Sequence, residues 1–357
     1  MKGNFFGTAR AKKAAIRYNH PSRSIRLVLV AGEYGVSTTA LYLAELLREN
    51  DQPAGVFTPR GSYINREAYT DRYDASADAI QHAIARSKKR CQVVVMVVSP
   101  AVVRSCVLDT LQVETVVATS DGELAQAVLE LPTVHAVIPE GMSTEGLAIA
   151  PHQKISFGDS ELAEAYVRNV VLYRKGTEVE LTIDHQTNLT LSTYLLGRAN
   201  SYNVAAAVAT GYLLGLDITK FEEAIAHIEQ VRGNLEEIPT EQPYRIYVDS
   251  APTERSADLV SASVKQLAKR RLLIACDDSF SNDTLDVLSQ RADHVTVVKG
   301  EETNGRYHAN DAKQAVELSL RSAKKDDAVL LLGPSFGAEA EHTETVGEQL
   351  VREVLAG

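Results

Sequence analysis

Residues 25–49 read IRLVLVAGEYGVSTTALYLAELLRE and combine three features in a fixed order. The run 25–31 is β-branched and aliphatic, which predicts a buried strand. Gly32 and Gly35 follow it in a short turn. Hydrophobic residues then recur at helical spacing over 37–49, after hydroxyl side chains that favour the start of a helix. The stretch therefore predicts a strand, a glycine turn and a helix, which is the repeating unit of α/β folds.

The same alternation of strand-like and helical segments continues along most of the chain. Further buried strands are predicted at 92–98, 115–119, 135–138, 245–249, 272–276, 294–298 and 328–332. Residues 168–194 differ, because short strand-like runs with close turns between them predict an antiparallel segment. Two predicted helices, 202–214 and 218–230, follow it, and Pro239 and Pro243 flank a linker. The predicted fold class is therefore α/β, with two domains divided near residue 240.

Composition sets limits on the class of protein. The chain has 357 residues, of which 45% are hydrophobic and 24% charged, as expected of a soluble globular protein. Its net charge of -10 argues against nucleic-acid binding by the main body. Three widely spaced cysteines make neither a disulfide framework nor a metal signature, so a reducing cytoplasm is the expected location. The most apolar stretch, 93–103, is too short for a transmembrane segment.

The N-terminal residues 1–24 form a basic arm. The first 32 residues contain seven lysines and arginines but no acid, and Phe5, Phe6 and Tyr18 lie among these charges. One interpretation is a solvated helix that leads into the first strand. The other is a segment that touches an acidic partner or an anionic membrane surface.

The glycine turn is a candidate phosphate-binding loop. Backbone N–H groups at the start of a helix point at an anion there, and the helix dipole favours negative charge. A working P-loop has a lysine directly after its second glycine and then a Ser or Thr for Mg²⁺. Here Ser37 is in place for the metal, whereas Val36 occupies the lysine position and Glu33 adds a carboxylate. A turn without a ligand is the alternative.

Several segments resemble the Mur ligases, in particular the type that adds the third peptide residue. The segment AGEYGVSTTALYLAELL (31–47) is similar to the family's TGTNGKTTTAYLLAHLL. Later segments follow in the family's order: LGRANSYNVAAA (196–207) resembles GRFNVYNALAA, VRGNLE (231–236) resembles PGRME, VDSAPT (248–253) resembles VDYAHTP, and LLLG (330–333) lies at GKGHE. The run RYNHPSR (17–23) resembles one found in short family members.

The resemblance implies a domain organisation. Mur ligases have a UDP-binding first domain, a central P-loop ATPase domain with a mostly parallel sheet and a Rossmann-like C-terminal domain. By resemblance, residues 25–238 are the central domain and 239–357 the C-terminal one. The basic arm 1–24 stands in place of the first domain.

The family's chemistry is not matched residue by residue. Mur ligases phosphorylate a carboxylate with ATP, and an amine then displaces the acyl phosphate. Family residues are replaced at these positions: the P-loop lysine by Val36, the magnesium-binding glutamate by Val97, the carbamylated lysine by Gln126 or Ala127, the arginine of GRME by Asn234 and the histidine of DYAHTP by Pro252. The DNPR substrate motif is absent after Val298. The sequence therefore identifies no catalytic residue and no metal ligand.

Parts of a nucleotide site are retained. The turn keeps Gly32, Gly35, Ser37 and Thr38. By resemblance, Asn203 would approach an adenine and Asp249 the ribose hydroxyls. Both residues also have structural interpretations, Asn203 as a helix cap and Asp249 in a turn at a strand end. The sequence leaves open whether the cofactor is none or ATP with Mg²⁺.

Three functions are compatible with this sequence. The first is a catalytically inactive Mur ligase homologue that binds or scaffolds a partner among cell-wall enzymes. The second is a divergent ATP-dependent carboxylate–amine ligase, in which Arg232 or Lys299 supplies the missing cation. The third is a protein tethered to an anionic surface by the arm 1–24. The sequence carries no signal for an oligomeric state.

Overall fold

The fold is known from a computed structural model, which describes residues 5–59, 61–70, 74–145, 150–251, 253–299, 306–338, 340 and 344–356. Pro252, the position of the family's histidine, lies outside these residues. The chain forms two compact units. The first unit comprises Met1–Val170, Val179–Ser192 and Ser201–Ile228, and the second comprises Val171–Glu178, Thr193–Asn200 and Glu229–Gly357.

Helices and strands alternate in the described residues as the sequence predicts. The helices are α1 (Phe5–Arg17), α2 (Val36–Glu49), α3 (Ala77–Ser87), α4 (Pro100–Arg104), α5 (Glu123–Leu129), α6 (Ala199–Leu213), α7 (Phe221–Ala226), α8 (Glu254–Leu267), α9 (Asn282–Arg291), α10 (Ala312–Ser322), α11 (Pro334–Gly337) and α12 (Val346–Ala356). The strands are β1 (Arg26–Ala31), β2 (Ala54–Thr58), β3 (Gly61–Ile64), β4 (Glu67–Thr70), β5 (Val93–Val97), β6 (Thr115–Ala118), β7 (His135–Pro139), β8 (Lys154–Gly158), β9 (Ala165–Tyr173), β10 (Gly176–Ile183), β11 (Thr187–Thr193), β12 (Glu236–Ile238), β13 (Arg245–Asp249), β14 (Leu272–Cys276), β15 (His294–Val298), β16 (Arg306–Ala309) and β17 (Ala328–Leu332).

The larger sheet is mostly parallel. Over the described residues its strand order is β11-β10-β9-β8-β7-β6-β1-β5-β2-β3-β4. The predicted strand of the glycine stretch, β1, lies inside this sheet and pairs in parallel with both β5 and β6. At one edge, β2, β3 and β4 form an antiparallel meander that the sequence pattern does not predict.

The other edge contains the predicted strands of residues 168–194. They are longer than predicted at their N-terminal ends, as β9, β10 and β11. The turn between β10 and β11 has Asp184 and His185 in left-handed conformations, with φ of 51° and 53°. Asp and His are among the residues that tolerate this conformation best.

Helices cover both faces of the central strands. On one face, a single cluster joins Ala11 and Ala14 of α1, Ile80 and Ile84 of α3, and Leu27, Leu29 and Met96 of the sheet. Helix α2 contributes Leu43, Leu46 and Leu47, which are fully buried. The strand residues alternate between the two faces, so a continuous apolar run such as β1 is what a parallel strand between helical layers requires.

The second unit contains a six-stranded sheet in the order β12-β13-β17-β14-β15-β16, counted over the described residues. Its pairs are parallel except for β12 with β13. Helices α8 and α9 pack on one face and α10 and α12 on the other. This arrangement is Rossmann-like, as the resemblance implies.

One predicted helix is shorter than expected. The sequence predicts a helix over 218–230, whereas α7 spans only Phe221–Ala226. A 3-10 turn precedes it, in which the Asp217 side chain accepts a hydrogen bond from the Thr219 N–H. The first unit ends at Ile228, and Gln230 then donates to Glu236 of the second unit. The helical spacing of apolar residues therefore continues in the sequence to residue 230, although the helix itself ends at Ala226.

Candidate functional site

The glycine turn has the predicted geometry. Strand β1 ends at Ala31, and α2 begins at Val36 with Gly35 as its N-cap, at φ of 73°. Gly32 has φ of 154°. A Cβ atom at Gly32 would collide with the Thr119 hydroxyl. The two glycines are therefore required by backbone conformation and by the close approach of neighbouring side chains.

The end of β6 holds this turn in place. The Glu33 N–H donates to the Ser120 hydroxyl at 2.8 Å. The Thr119 hydroxyl donates to the Tyr34 carbonyl at 2.6 Å, and the Thr119 N–H donates to the Ala31 carbonyl at 2.8 Å. One amide of the turn thus donates to a side chain of the protein, where a phosphate-binding loop would turn its amides toward the anion.

Asn203 lies directly against the turn. Its side chain is 5% exposed, and its Oδ1 atom accepts from the Thr39 hydroxyl at 3.5 Å. The same oxygen occupies the place that a Cβ atom on Gly35 would take. Because α6 begins at Ala199, Asn203 is inside the helix, and its interpretation as a helix cap is wrong.

The structure brings five of the six predicted site residues together in the first unit. Ser37 and Thr38 begin α2 directly after Gly35 and are 9% and 2% exposed. Gly32 and Asn203 complete the group through the contacts above. Two neighbouring residues differ in exposure: Val36, at the start of α2, is half-buried, and Glu33, in the turn, is exposed.

Two further positions of the family's chemistry lie in the same unit. Val97, which the resemblance places at the magnesium-binding glutamate, ends β5 and is 1% exposed. Gln126 and Ala127, at the position of the carbamylated lysine, lie in α5. Their side chains, like those of the glycine turn, carry no positive charge.

Asp249 belongs to the second unit, where it stabilises two turns. Its carboxylate accepts from the Leu235 N–H at 2.7 Å and from the Ala251 N–H at 2.6 Å. Leu235 and Ala251 have φ of 45° and 29°, which is unusual for residues other than glycine. Asp249 is 4% exposed, so its carboxylate is largely committed to the end of β13.

A second buried acid was not anticipated. The adjacent acids Asp277 and Asp278 after a predicted strand indicate a strand end in solvent, but this prediction is wrong for Asp277, which follows β14 and is 2% exposed. Its carboxylate accepts from the Ser279 N–H at 3.1 Å and from the Ser335 N–H at 2.7 Å. A Cβ atom on Gly333 would reach this carboxylate at 2.5 Å. The acid therefore joins the ends of neighbouring strands β14 and β17.

One cluster in the first unit has metal-ligand chemistry. Glu45, Glu49 and His227 place ligand atoms within 4.8 Å of one another. The Arg66 guanidinium lies between them, 2.7 Å from the Glu45 carboxylate and 2.9 Å from that of Glu49. The hydrogen bond from Arg66 to Glu45 raises the pKa of that guanidinium. The cluster is thus an ion-pair network whose positive charge comes from an arginine.

By fold, the chain is an α/β protein with a strand–glycine turn–helix element of the P-loop type and a Rossmann-like second unit. Among the helices of the described residues, none is long and apolar enough to cross a membrane. No protein-family model matches the chain.

Sequence comparison relates the chain to Mur ligases. It is 24% identical over 210 residues to UDP-N-acetylmuramoyl-L-alanyl-D-glutamate--2,6-diaminopimelate ligase of Halalkalibacterium halodurans, a match that covers 51% of this chain and 42% of the relative. It is 22% identical over 376 residues to UDP-N-acetylmuramyl-tripeptide synthetase 2 of Oceanobacillus iheyensis, covering 91% of this chain and 76% of that protein. In several other diaminopimelate ligases the match spans 35% to 47% of the relative's length.

Solved structures share the fold. MurF from Acinetobacter baumannii has a TM-score of 0.73 at 14% identity and is matched over 98% of this chain and 81% of that chain. Mycobacterium tuberculosis folylpolyglutamate synthase complexed with ADP and AMPPCP has a TM-score of 0.72 at 13% identity, over 98% of this chain and 95% of that chain. The chain is therefore Mur ligase-like in sequence and fold, and both the predicted resemblance and the predicted fold class are confirmed.

Proposed function

We propose that this chain is a Mur ligase-like protein that no longer catalyses ligation and instead binds or scaffolds enzymes of cell-wall peptide metabolism. The observation that carries the proposal is Val36. It follows Gly35 directly, at the first position of α2, where a P-loop has the lysine that neutralises the β and γ phosphates.

Charge argues against a bound triphosphate in this turn. A valine side chain offers no positive charge, and the exposed Glu33 carboxylate lies three residues before it. Phosphoryl transfer depends almost entirely on positioning and on cations that stabilise the moving phosphoryl group. Loss of one preorganised electrostatic donor typically lowers a catalytic rate by about 10²–10³. Here the lysine and the magnesium-binding glutamate are replaced together, by Val36 and Val97.

The hydrogen bonds of the turn support the same proposal. The Glu33 N–H already donates to Ser120, and the Tyr34 carbonyl accepts from Thr119. A phosphate oxygen would have to displace the Ser120 hydroxyl to use that amide. An amide that already donates within the protein gains less from an anion than one that has no partner until the anion binds.

A divergent ATP-dependent carboxylate–amine ligase is the second candidate. The matched relatives are named as ligases, and one matched structure is a complex with ADP and AMPPCP. Ser37 and Thr38 retain the hydroxyls that a metal–nucleotide complex would use. In this alternative, cations such as Arg232 or Lys299 would replace the missing lysine.

Calorimetric titration with Mg-ATP separates these two candidates. We expect no binding to the natural protein at millimolar nucleotide, and detectable binding to Val36→Lys, because the variant supplies the missing positive charge. Val36→Met is the matched control, since it adds similar length without charge, and it should not bind. Mg-ATP-dependent ligation of any amino acid or peptide by the natural protein, lost in Ser37→Ala, would overturn the pseudoenzyme proposal and establish the second candidate.

One observation favours the third candidate, attachment to an anionic surface. Helix α1 buries Ala11 and Ala15, whereas Phe6 and Ile16 are 74% and 68% exposed. The basic residues Arg10, Lys12 and Lys13 are exposed on the same helix. Sedimentation with vesicles that contain anionic lipid tests this candidate. Binding should weaken in high salt and in Phe6→Ser/Ile16→Ser, and sedimentation indifferent to both would eliminate it.

A further inference from the structure

A cavity in the first unit lies apart from the glycine turn. It has a volume of about 260 Å³ and lies between α3 and the strands β2 to β5. Its walls include Phe57, Ile80, Ile84 and Met96, whose exposed fractions are 1% to 3%. None of the predicted nucleotide-site residues lines it. An apolar chamber of about 150 Å³ already holds a benzene molecule, so this volume is sufficient for one or two rings.

One polar side chain in the cavity wall has no partner. Ser62, in β3, is 1% exposed and lines the cavity. Within the part of the chain that the structure describes, its Oγ atom makes no hydrogen bond. Ser62 stands opposite Phe57 in the register of β2 with β3, so its backbone is fixed by the sheet. Buried hydroxyls are almost always hydrogen-bonded in native proteins, so an unpartnered hydroxyl beside a cavity is unusual.

Aromatic side chains line the cavity and contact one another near its outer end. Tyr69 lines it and packs edge-on against Phe57, with ring centroids 5.9 Å apart at 86°. The Tyr69 hydroxyl lies 3.3 Å from His82 Nδ1, and the Arg86 guanidinium lies 5.7 Å from the centre of the Tyr69 ring. The exposed residues Asp74 and His82 also line the cavity, which gives it a polar outer end and an apolar inner end.

We propose that this cavity binds a small, neutral aromatic molecule that places one hydrogen-bonding group on Ser62 Oγ. The ligand is neutral because the inner walls are aliphatic and aromatic, and an unpaired charge there would be strongly disfavoured. It is aromatic because Phe57 and Met96 offer the ring and sulfur contacts that aromatic ligands prefer. This inference does not depend on the function proposed for the glycine turn.

Indole and indene are suitable probes because they share size and shape, and only indole has an N–H group. We expect both to bind the full chain in a titration followed by ¹⁵N chemical shifts, with the largest changes at residues 57–62 and 79–84. In Ser62→Ala, indole affinity should fall about fivefold, as expected for loss of one hydrogen bond, while indene affinity should not fall. An equal loss for both probes, or no binding up to their solubility, would overturn the proposal.

Filling the cavity provides an independent test. Ala83 of α3 lines the cavity and is 8% exposed, so Ala83→Leu should abolish binding of both probes. Ala85→Leu on the same helix is the matched control, because Ala85 is half-buried and is not among the lining residues. If Ala83→Leu does not fold, Ala79→Leu fills the cavity from a more exposed position. Unchanged affinity in a folded filling variant would place the probes elsewhere and refute the site.

Discussion

The backbone N–H of Glu33 and the hydroxyl of Ser120 are joined by a hydrogen bond of 2.8 Å, although 87 positions separate the two residues in the chain. Thr119, the neighbour of Ser120, donates to the Tyr34 carbonyl at 2.6 Å. The end of β6 therefore satisfies both a donor and an acceptor of the glycine turn. This explains how the turn keeps one conformation through contacts within the protein.

Ser120→Ala should lower the free energy of unfolding by about 1 kcal/mol, because it removes one hydrogen bond from a partly buried amide. The midpoint of urea denaturation measures this loss. Ser143→Ala is the control, since Ser143 is exposed and its hydroxyl accepts a long bond of 3.3 Å from the Glu145 N–H. Equal midpoints for Ser120→Ala and the natural protein would show that the bond to Glu33 contributes nothing.

Gly35→Ala should destabilise the protein more than Gly215→Ala. The two glycines have nearly the same φ, 73° and 74°, so both variants incur a backbone strain of roughly 1–2 kcal/mol. Only at Gly35 would the new Cβ atom collide with Asn203, since nothing lies within 4 Å of a Cβ atom on Gly215.

A double variant isolates that collision. In an Asn203→Ala background, the cost of Gly35→Ala should approach the cost of Gly215→Ala, because the obstructing oxygen is gone. Thermal or urea denaturation of the variants gives the coupling energy. A cost of Gly35→Ala that does not depend on residue 203 would contradict the close approach of the Asn203 side chain to Gly35.

Glu45→Gln should lower the free energy of unfolding by about 3–5 kcal/mol, because it leaves a buried guanidinium without its counter-charge. The side chains of Arg48 and Glu45 are only 7% and 8% exposed, and burial lowers the pKa of Arg48. Glu49→Gln is the matched control on the same helix. Its side chain is 22% exposed and it pairs with Arg66, which retains Glu45 as a partner, so the loss should be well under half as large.

Asp327 should contribute to the acid sensitivity of the second unit. Burial raises the pKa of Asp327, but hydrogen bonds from Arg271 and from the Lys324 N–H outweigh burial and hold it below its ordinary value. A carboxylate with a lowered pKa stabilises the fold above the unfolded pKa of about 3.9, and that stability is lost as pH falls through the folded pKa. Asp327→Asn should therefore be less stable than the natural protein at pH 7.

This prediction is tested by measuring the unfolding free energies of Asp327→Asn and the natural protein as a function of pH. The gap in unfolding free energy between Asp327→Asn and the natural protein should narrow as pH falls below about 4, because the natural residue becomes neutral as well. Asp326→Asn serves as the control. Its side chain is 37% exposed and lies 3.5 Å from Lys269, and Asn tolerates its left-handed φ of 68°, so little change is expected. A gap that stays constant with pH would exclude this role for Asp327.

Strands such as β1 and β5 were predictable from the sequence, whereas the short strands β3, β4 and β16 were not. Runs such as 27–31 and 93–97 are continuously apolar because helices cover both of their faces. The edge strands β3, β4 and β16 have four residues each, and β16 reads Arg-Tyr-His-Ala. Their pairing depends on neighbours such as β2 and β15, which a local pattern does not reveal.

The candidate site also has one part that the sequence predicts and another part that it does not. The strand, the two glycines and the hydroxyls of Ser37 and Thr38 are adjacent in sequence, and the pattern predicted their placement. The hydrogen bond between Glu33 and Ser120 could not be predicted, because it depends on the parallel pairing of β6 with β1. Asn203 was found only through a family resemblance. Its place beside Gly35 follows from the packing of α6, which no spacing in the sequence encodes.

The hydrogen bonds of Asp249 determine what a matching aspartate in a related sequence indicates. Its carboxylate fixes Leu235 and Ala251 in left-handed conformations, so folding of the second unit alone is enough to select for an acid at this position. A chain that had lost every use for a nucleotide would still keep it. An aspartate at this position is therefore explained by the fold of the second unit and is not by itself evidence of a nucleotide site.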